Sequence, residues 1–177
     1  MAFIIESDFE HKGIRCVCIG GDLGHRCGYV GIPEGHFLHG KQYSDPCLPM
    51  SDVEKQEIGK RGIIPLLCHR QDGTLIAPDL YFNVHGSLTY SGGGKGSKYP
   101  VESDLWWLGF DCAHTGDGRD ADLIRKLSPE RLVNIRLDFH SWEGETVRTK
   151  EYVEQECRYL VDQIIQLRGD ENGIQER

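Results

Sequence analysis

The stretch Leu105-Trp106-Trp107-Leu108-Gly109-Phe110-Asp111-Cys112 decides the fold. Trp106, Leu108, Phe110 and Cys112 fall on one side of a two-residue period, Trp107, Gly109 and Asp111 on the other, which is the pattern of a β-strand. The second half of Leu80 to Tyr90 alternates in the same way, with Val84, Gly86, Leu88 and Tyr90 opposed to His85, Ser87 and Thr89. The glycine-rich loop Ser91–Ser97 separates the two runs, so they are expected to pair antiparallel. Toward the N-terminus, Phe3 to Phe9 and Ile14 to Ile19 flank His11-Lys12-Gly13 and read as a β-hairpin, with a short strand at Cys27–Ile32. From Thr149, a good N-cap, Val153, Cys157, Leu160, Val161, Ile164 and Leu167 make one apolar stripe at helical spacing, which Arg168-Gly169 is expected to close. The sum is an α+β fold. Residues 1–168 are expected as a single domain, an antiparallel β-sheet with a long C-terminal amphipathic helix packed on one face, and residues 169–177 as a polar tail.

Composition agrees with one domain. A chain of 177 residues buries enough surface to fold without a metal or disulfide staple, and 38% hydrophobic with 27% charged residues excludes a disordered chain. A formal charge of −8 argues against a direct nucleic-acid ligand and leaves open an acidic protein that blocks a basic partner. Seven cysteines, an odd number without framework spacing, read as reduced thiols. No apolar run approaches the ~18 residues of a membrane helix, and Glu6 and Asp8 come too early for a secretory signal, so a cytoplasmic location is expected. Ser51 with Glu54 suggests a helix start running toward Gly59 or Gly62, and Ala121–Leu127 a short helix.

Chemistry concentrates after the tryptophan strand. Asp111, His114 and Asp117 lie at the strand end and in the glycine-containing turn that follows, where a sheet presents rigid groups to solvent. Across the expected strand pair, His85 falls on the face that carries Asp111. Two readings stay open. His85, Asp111 and His114 form a proton-transfer set, with Asp111, His114 and Asp117 sharing a divalent metal ion; or the two Asp side chains cap the turn and His85 is a satisfied, half-buried residue. Glu34 and His36, in a Pro-Glu-Gly turn, and Trp107 are candidates to complete the same ligand site. Ser91–Ser97 lacks the spacing of a phosphate loop, yet Lys95 and its bare N–H groups could contact an anion. Cys16-x-Cys18, His25-x-Cys27 and Cys112-x-His114 would share strand faces as a zinc site, without the usual Cys-x-x-Cys signature. Of the 22 glycines, those in Gly20 to Gly40, Gly86, Gly92 to Gly96, Gly109 and Gly116 fall beside these His, Asp and Trp residues and read as room made around one site.

Four blocks, Cys27–His36, Val84–Gly92, Trp106–Asp117 and Tyr152–Cys157, resemble in order a family of bacteriophage and actinobacterial proteins that carries no assigned activity. Ser87 departs from its pattern, standing where a second Gly of a His-Gly-Gly run is expected. The resemblance implies a phage accessory protein working in a host bacterial cell against its defence. The first function expected is binding of a small, nucleotide-like molecule, or metal-assisted hydrolysis of a phosphoester or glycosidic bond. The alternative is a non-catalytic acidic inhibitor of a host defence protein. Oligomeric state is not legible.

Overall fold

The computed structural model describes residues 2–49, 75–130 and 144–174, with side chains of the last helix through Leu167. Strand β1 (Phe3–His11) and strand β2 (Ile14–Gly21) form the expected hairpin, with His11 opposite Ile14. Lys12 and Gly13 both take positive φ, 50° and 80°, which a tight two-residue hairpin turn requires. β3 (Arg26–Ile32) follows, then β4 (Leu48–Pro49), β5 (Leu75–Ile76), α1 (Pro78–Tyr81), β6 (Tyr90–Gly93), β7 (Trp106–Asp111), β8 (Asp117–Gly118), α2 (Ala121–Leu127), β9 (Thr146–Val147) and α3 (Lys150–Ile174). Five strands make one antiparallel sheet in the order β1-β2-β3-β7-β6. The tryptophan stretch is therefore an interior strand, paired on both edges, and the fold is α+β as the sequence indicates.

Its alternation sorts the core into two layers. Leu108, Phe110 and Cys112 join Cys16, Cys18 and Val30 under the α3 stripe of Val153, Cys157, Leu160, Val161, Ile164 and Leu167. Trp107 goes to the opposite face with Val17, Ile19 and Tyr29, roofed by Tyr99, Val101 and Leu105. Thr149 caps α3 as expected, its Oγ1 accepting from Tyr152 N at 3.3 Å, but the helix runs past Gly169 to Ile174. Register explains how α3 comes so close. Gly28 sits opposite Phe110 beneath the helix, and a Cβ there would stand 2.5 Å from the Phe110 ring and 2.7 Å from Cys157 Sγ.

Two expectations change. Residues 80–90 are not a strand: Pro78 starts the one-turn helix α1, and Gly86 and Ser87 take positive φ of 63° and 80°, which no strand accommodates. Pairing with β7 begins only at Tyr90, opposite Gly109, and uses the first residues of the expected glycine loop. Phe82, Val84 and Leu88 are nevertheless buried, so the alternation marked burial without pairing. The cysteine–histidine zinc site is also absent among the described residues. The six described cysteines are free thiols, and burial pushes the Cys16 and Cys112 thiols up to about 12, so they pack as small protonated hydrophobes. The helix expected from Ser51 lies outside the described residues. Among the described residues no helix is long and apolar enough to cross a membrane.

Gly28→Ala is expected to lower stability by about 1–3 kcal/mol, because neither the Phe110 ring nor the helix backbone behind Cys157 yields cheaply. Urea unfolding measures it. An unchanged midpoint would show that the helix does not press on β3 as described.

Candidate functional site

The site grows out of the turn that ends β7. Asp111 Oδ1 accepts from Ala113 N at 3.0 Å, and Asp117 N donates to His114 O at 2.9 Å, so the turn closes on itself. Asp117 then pairs in parallel with Thr146, and the Asp117 side chain is 1% exposed. That carboxylate has three partners. Oδ1 accepts from Arg148 Nε at 2.8 Å, and Oδ2 accepts from His85 Nε2 at 2.8 Å and from His114 N at 3.0 Å. Burial alone would raise its pKa; the bonds from Arg148, His85 and the His114 N–H outweigh burial and hold it below the ordinary 3.8.

His85 reaches Asp117 from the loop after α1. Its backbone N donates to Glu156 Oε2 at 2.8 Å, and its ring Nδ1 lies 2.9 Å from the Tyr152 hydroxyl, so α3 fixes both its backbone and its ring. Burial and the nearby Glu156 carboxylate push the Tyr152 phenol up, keeping it a neutral hydroxyl that can donate or accept. The ring therefore has two compatible states. With Nε2–H donating to Asp117, Nδ1 accepts from Tyr152; with Nε2 bare, which at 2.8 Å from Asp117 Oδ2 requires a cation between the two, Nδ1–H donates to Tyr152.

His114 packs its ring edge-to-face on His85, centroids 5.7 Å apart. Gly86 holds it there: a Cβ at Gly86 would lie 2.1 to 2.6 Å from three ring atoms of His114. The clamp leaves His114 Nδ1 buried with no hydrogen-bond partner, 3.8 Å from both Asp111 Oδ1 and Asp117 Oδ2. The His85, His114 and Asp117 donor atoms all lie within 4.8 Å of one another, the only such group of three among the described residues. Ligands of a tetrahedral zinc stand about 3.3 Å apart, between the 2.8 Å and 3.8 Å found here for the two imidazole-to-Asp117 pairs.

Of the residues marked in the sequence, His85, His114 and Asp117 come together with Asp111 at their rim. The expected His85–Asp111 pairing does not form. Asp111 is on the Trp107 side of β7, away from α3, where Thr89 Oγ1 donates to it at 2.8 Å; Asp117 takes its place beside His85. The other candidates lie elsewhere. β3 pairs Cys27 with Asp111 and Ile32 with Trp106, so Glu34 and His36 leave the sheet at the Trp106 end, about 17 Å along the strand. Glu34 is exposed, and His36 is buried in the Pro33–His36 turn, accepting from Leu38 N and stacked on Phe37. Lys95 leaves from the same end, because β6 pairs Gly93 with Trp106. Trp107 is fully buried, its Nε1 donating to Ser103 Oγ, and lines no polar site. Sequence reasoning missed Arg148, Tyr152 and Glu156. Tyr152 and Glu156 stand four apart, each one position before a stripe residue, and that flanking polar row was the available signal.

No protein-family model, curated protein or solved structure matches the chain.

Asp117→Asn is expected to cost about 1–3 kcal/mol near neutral pH, since it removes the charge that Arg148 and His85 bond to. The sign with pH is fixed by the lowered pKa: this stabilisation is complete above the ordinary 3.8 and is lost as pH falls through the lower folded value. Urea unfolding of EDTA-treated protein should show a wild-type advantage that is level above about pH 5 and narrows on further acidification. An advantage unchanged down to about pH 3 would contradict the assignment.

Proposed function

We propose that the chain is a metal-assisted hydrolytic protein for a small molecule, with a transition-metal cation held by His85 Nε2, His114 Nδ1 and an Asp117 oxygen. One observation carries the reading: His114 Nδ1 is buried, clamped by Gly86 and unpartnered, aimed at a carboxylate 3.8 Å away. A buried ring nitrogen without a partner is costly, and a cation between it and Asp117 removes the cost. Two imidazoles and one carboxylate favour zinc-class ions over magnesium or calcium, which prefer all-oxygen shells. Three protein ligands leave a fourth position for water or ligand, as at catalytic zinc sites.

A cation bound there would lower the pKa of a coordinated water and supply a nucleophile near neutral pH. The protein's own groups do the rest. With the cation bound, Tyr152 would accept from His85 Nδ1–H and leave Nε2 bare for it; Arg148 keeps the Asp117 carboxylate oriented; Glu156 holds the His85 backbone. The resemblance to phage proteins supports a setting as an accessory protein in a host bacterium. The alternative, an acidic inhibitor of a host protein, draws on the charge of −8, and it requires nothing of His114.

Titration of EDTA-treated protein with zinc tests the reading. Wild type is expected to bind one equivalent, and His114→Ala to lose affinity by about 10- to 100-fold with little change in thermal midpoint. Gly86→Ala should lose zinc too, because its Cβ displaces the imidazole. A wild type that takes up no zinc, or a His114→Ala protein that binds it equally well, would sink the metal reading.

A further inference from the structure

Arg148 stands out because only part of its guanidinium is used. Nε donates to Asp117 Oδ1, and the Cζ atom lies 4.9 Å over the Tyr152 ring, so the plane is fixed by a bond and by a ring face. Its backbone is fixed as well: Arg148 O accepts from Arg26 Nη1 at 3.0 Å, and Arg26 is itself held by Glu6 and Asp120. Among the described residues neither Nη group of Arg148 takes a hydrogen bond, and the side chain is 29% exposed. The result is a rigid fork with its outer donors unspent.

We infer that Arg148 binds the non-bridging oxygens of a phosphoryl group whose remaining oxygen meets the cation at His85, His114 and Asp117, so that the ligand of this site is a phosphate ester. The inference rests on the metal reading above and adds the ligand class to it. Planar paired donors match two oxygens of one phosphoryl group better than a single ammonium does. Arg148 Nε and the His85 ring contact the two oxygens of one carboxylate, a separation that a tetrahedral phosphoryl group spans. The position also directly precedes Thr149 and the start of α3, where the helix end is partially positive.

Charge decides the conditions. Three carboxylates border the site, Asp117 against Arg148, Asp111 beside His114 and Glu156 beside His85, so with one guanidinium the metal-free site is net negative and repels an anion. A divalent cation brings the group to neutrality. Phosphate binding is therefore expected in the zinc-loaded protein and not after EDTA treatment. This also reconciles a phosphate ligand with an acidic chain, which Lys95, at the other end of the sheet, does not.

The test is calorimetric titration with inorganic phosphate of the zinc-loaded full chain: wild type, Arg148→Gln, Arg148→Lys and, as a control away from the site, Lys95→Gln. Zinc content is measured on each protein. With every protein brought to full zinc occupancy by excess zinc, Arg148→Gln is expected to weaken phosphate by about tenfold or more, Arg148→Lys to lose less, and Lys95→Gln to match wild type. Arg148→Lys, which keeps a charge opposite Asp117, serves if Arg148→Gln does not fold, and is then itself expected to bind several-fold more weakly than wild type. Zinc-loaded wild type that binds no phosphate, or Arg148 variants that bind it like wild type, would overturn the inference and leave the metal centre standing. Wild type that takes up no zinc overturns the metal centre and, with it, the phosphate inference that rests on it.

Discussion

The carboxylate of Asp117 is the constraint on which the rest of the site depends. It draws together Arg148 ahead of α3, His85 from the loop after α1 and the backbone of His114 from its own turn, three segments far apart in the chain. A carboxylate that is 1% exposed is costly without polar partners, and these three supply them. Its burial is in turn a product of the short parallel pairing of β8 with β9, which holds the turn after β7 against the strand before α3.

A second charged group braces the same junction. Arg26, buried at the start of β3, bonds Glu6 on β1, Asp120 at the cap of α2 and the carbonyl of Arg148. One guanidinium thereby links the sheet edge, the short helix and the approach to α3. Buried pairs of this kind stabilise little relative to apolar packing, yet breaking one partner is costly, so they act mainly to fix geometry. For Arg148 that geometry holds the backbone in place while, among the described residues, its Nη groups have no protein partner.

The glycine surplus has a different distribution from the one the sequence suggests. Gly86 does make room at the site, against the His114 ring, and Gly28 makes room for α3 against Phe110 and Cys157. Others with positive φ, such as Gly13, Gly35 and Gly116, turn the chain where no side chain stands within 4 Å. Ser87, a non-glycine residue, holds φ of 80° and donates from Oγ to Asp79 O at 2.5 Å. That bond offsets part of the strain, roughly 1–2 kcal/mol, of a left-handed residue with a side chain.

The sequence by itself determined the period-two strand at Trp106–Asp111, the N-terminal hairpin and the apolar stripe of α3, because periodicity and turn residues act within a few positions of the chain. It also located His85, His114 and Asp117, since two histidines beside strand-end aspartates are poorly accounted for by turn chemistry. What only the tertiary structure decided was which of them meet. The alternation from Phe82 to Leu88 recorded burial, and burial is the same whether a segment pairs as a strand or folds over as a loop. The loop took His85 away from Asp111 and to Asp117, and brought both within reach of Arg148 and Tyr152, which stand beside a helix stripe read as architecture alone. Partnerships across 31 to 67 residues depend on how sheet, helix and turn close upon one another, and no local pattern encodes that.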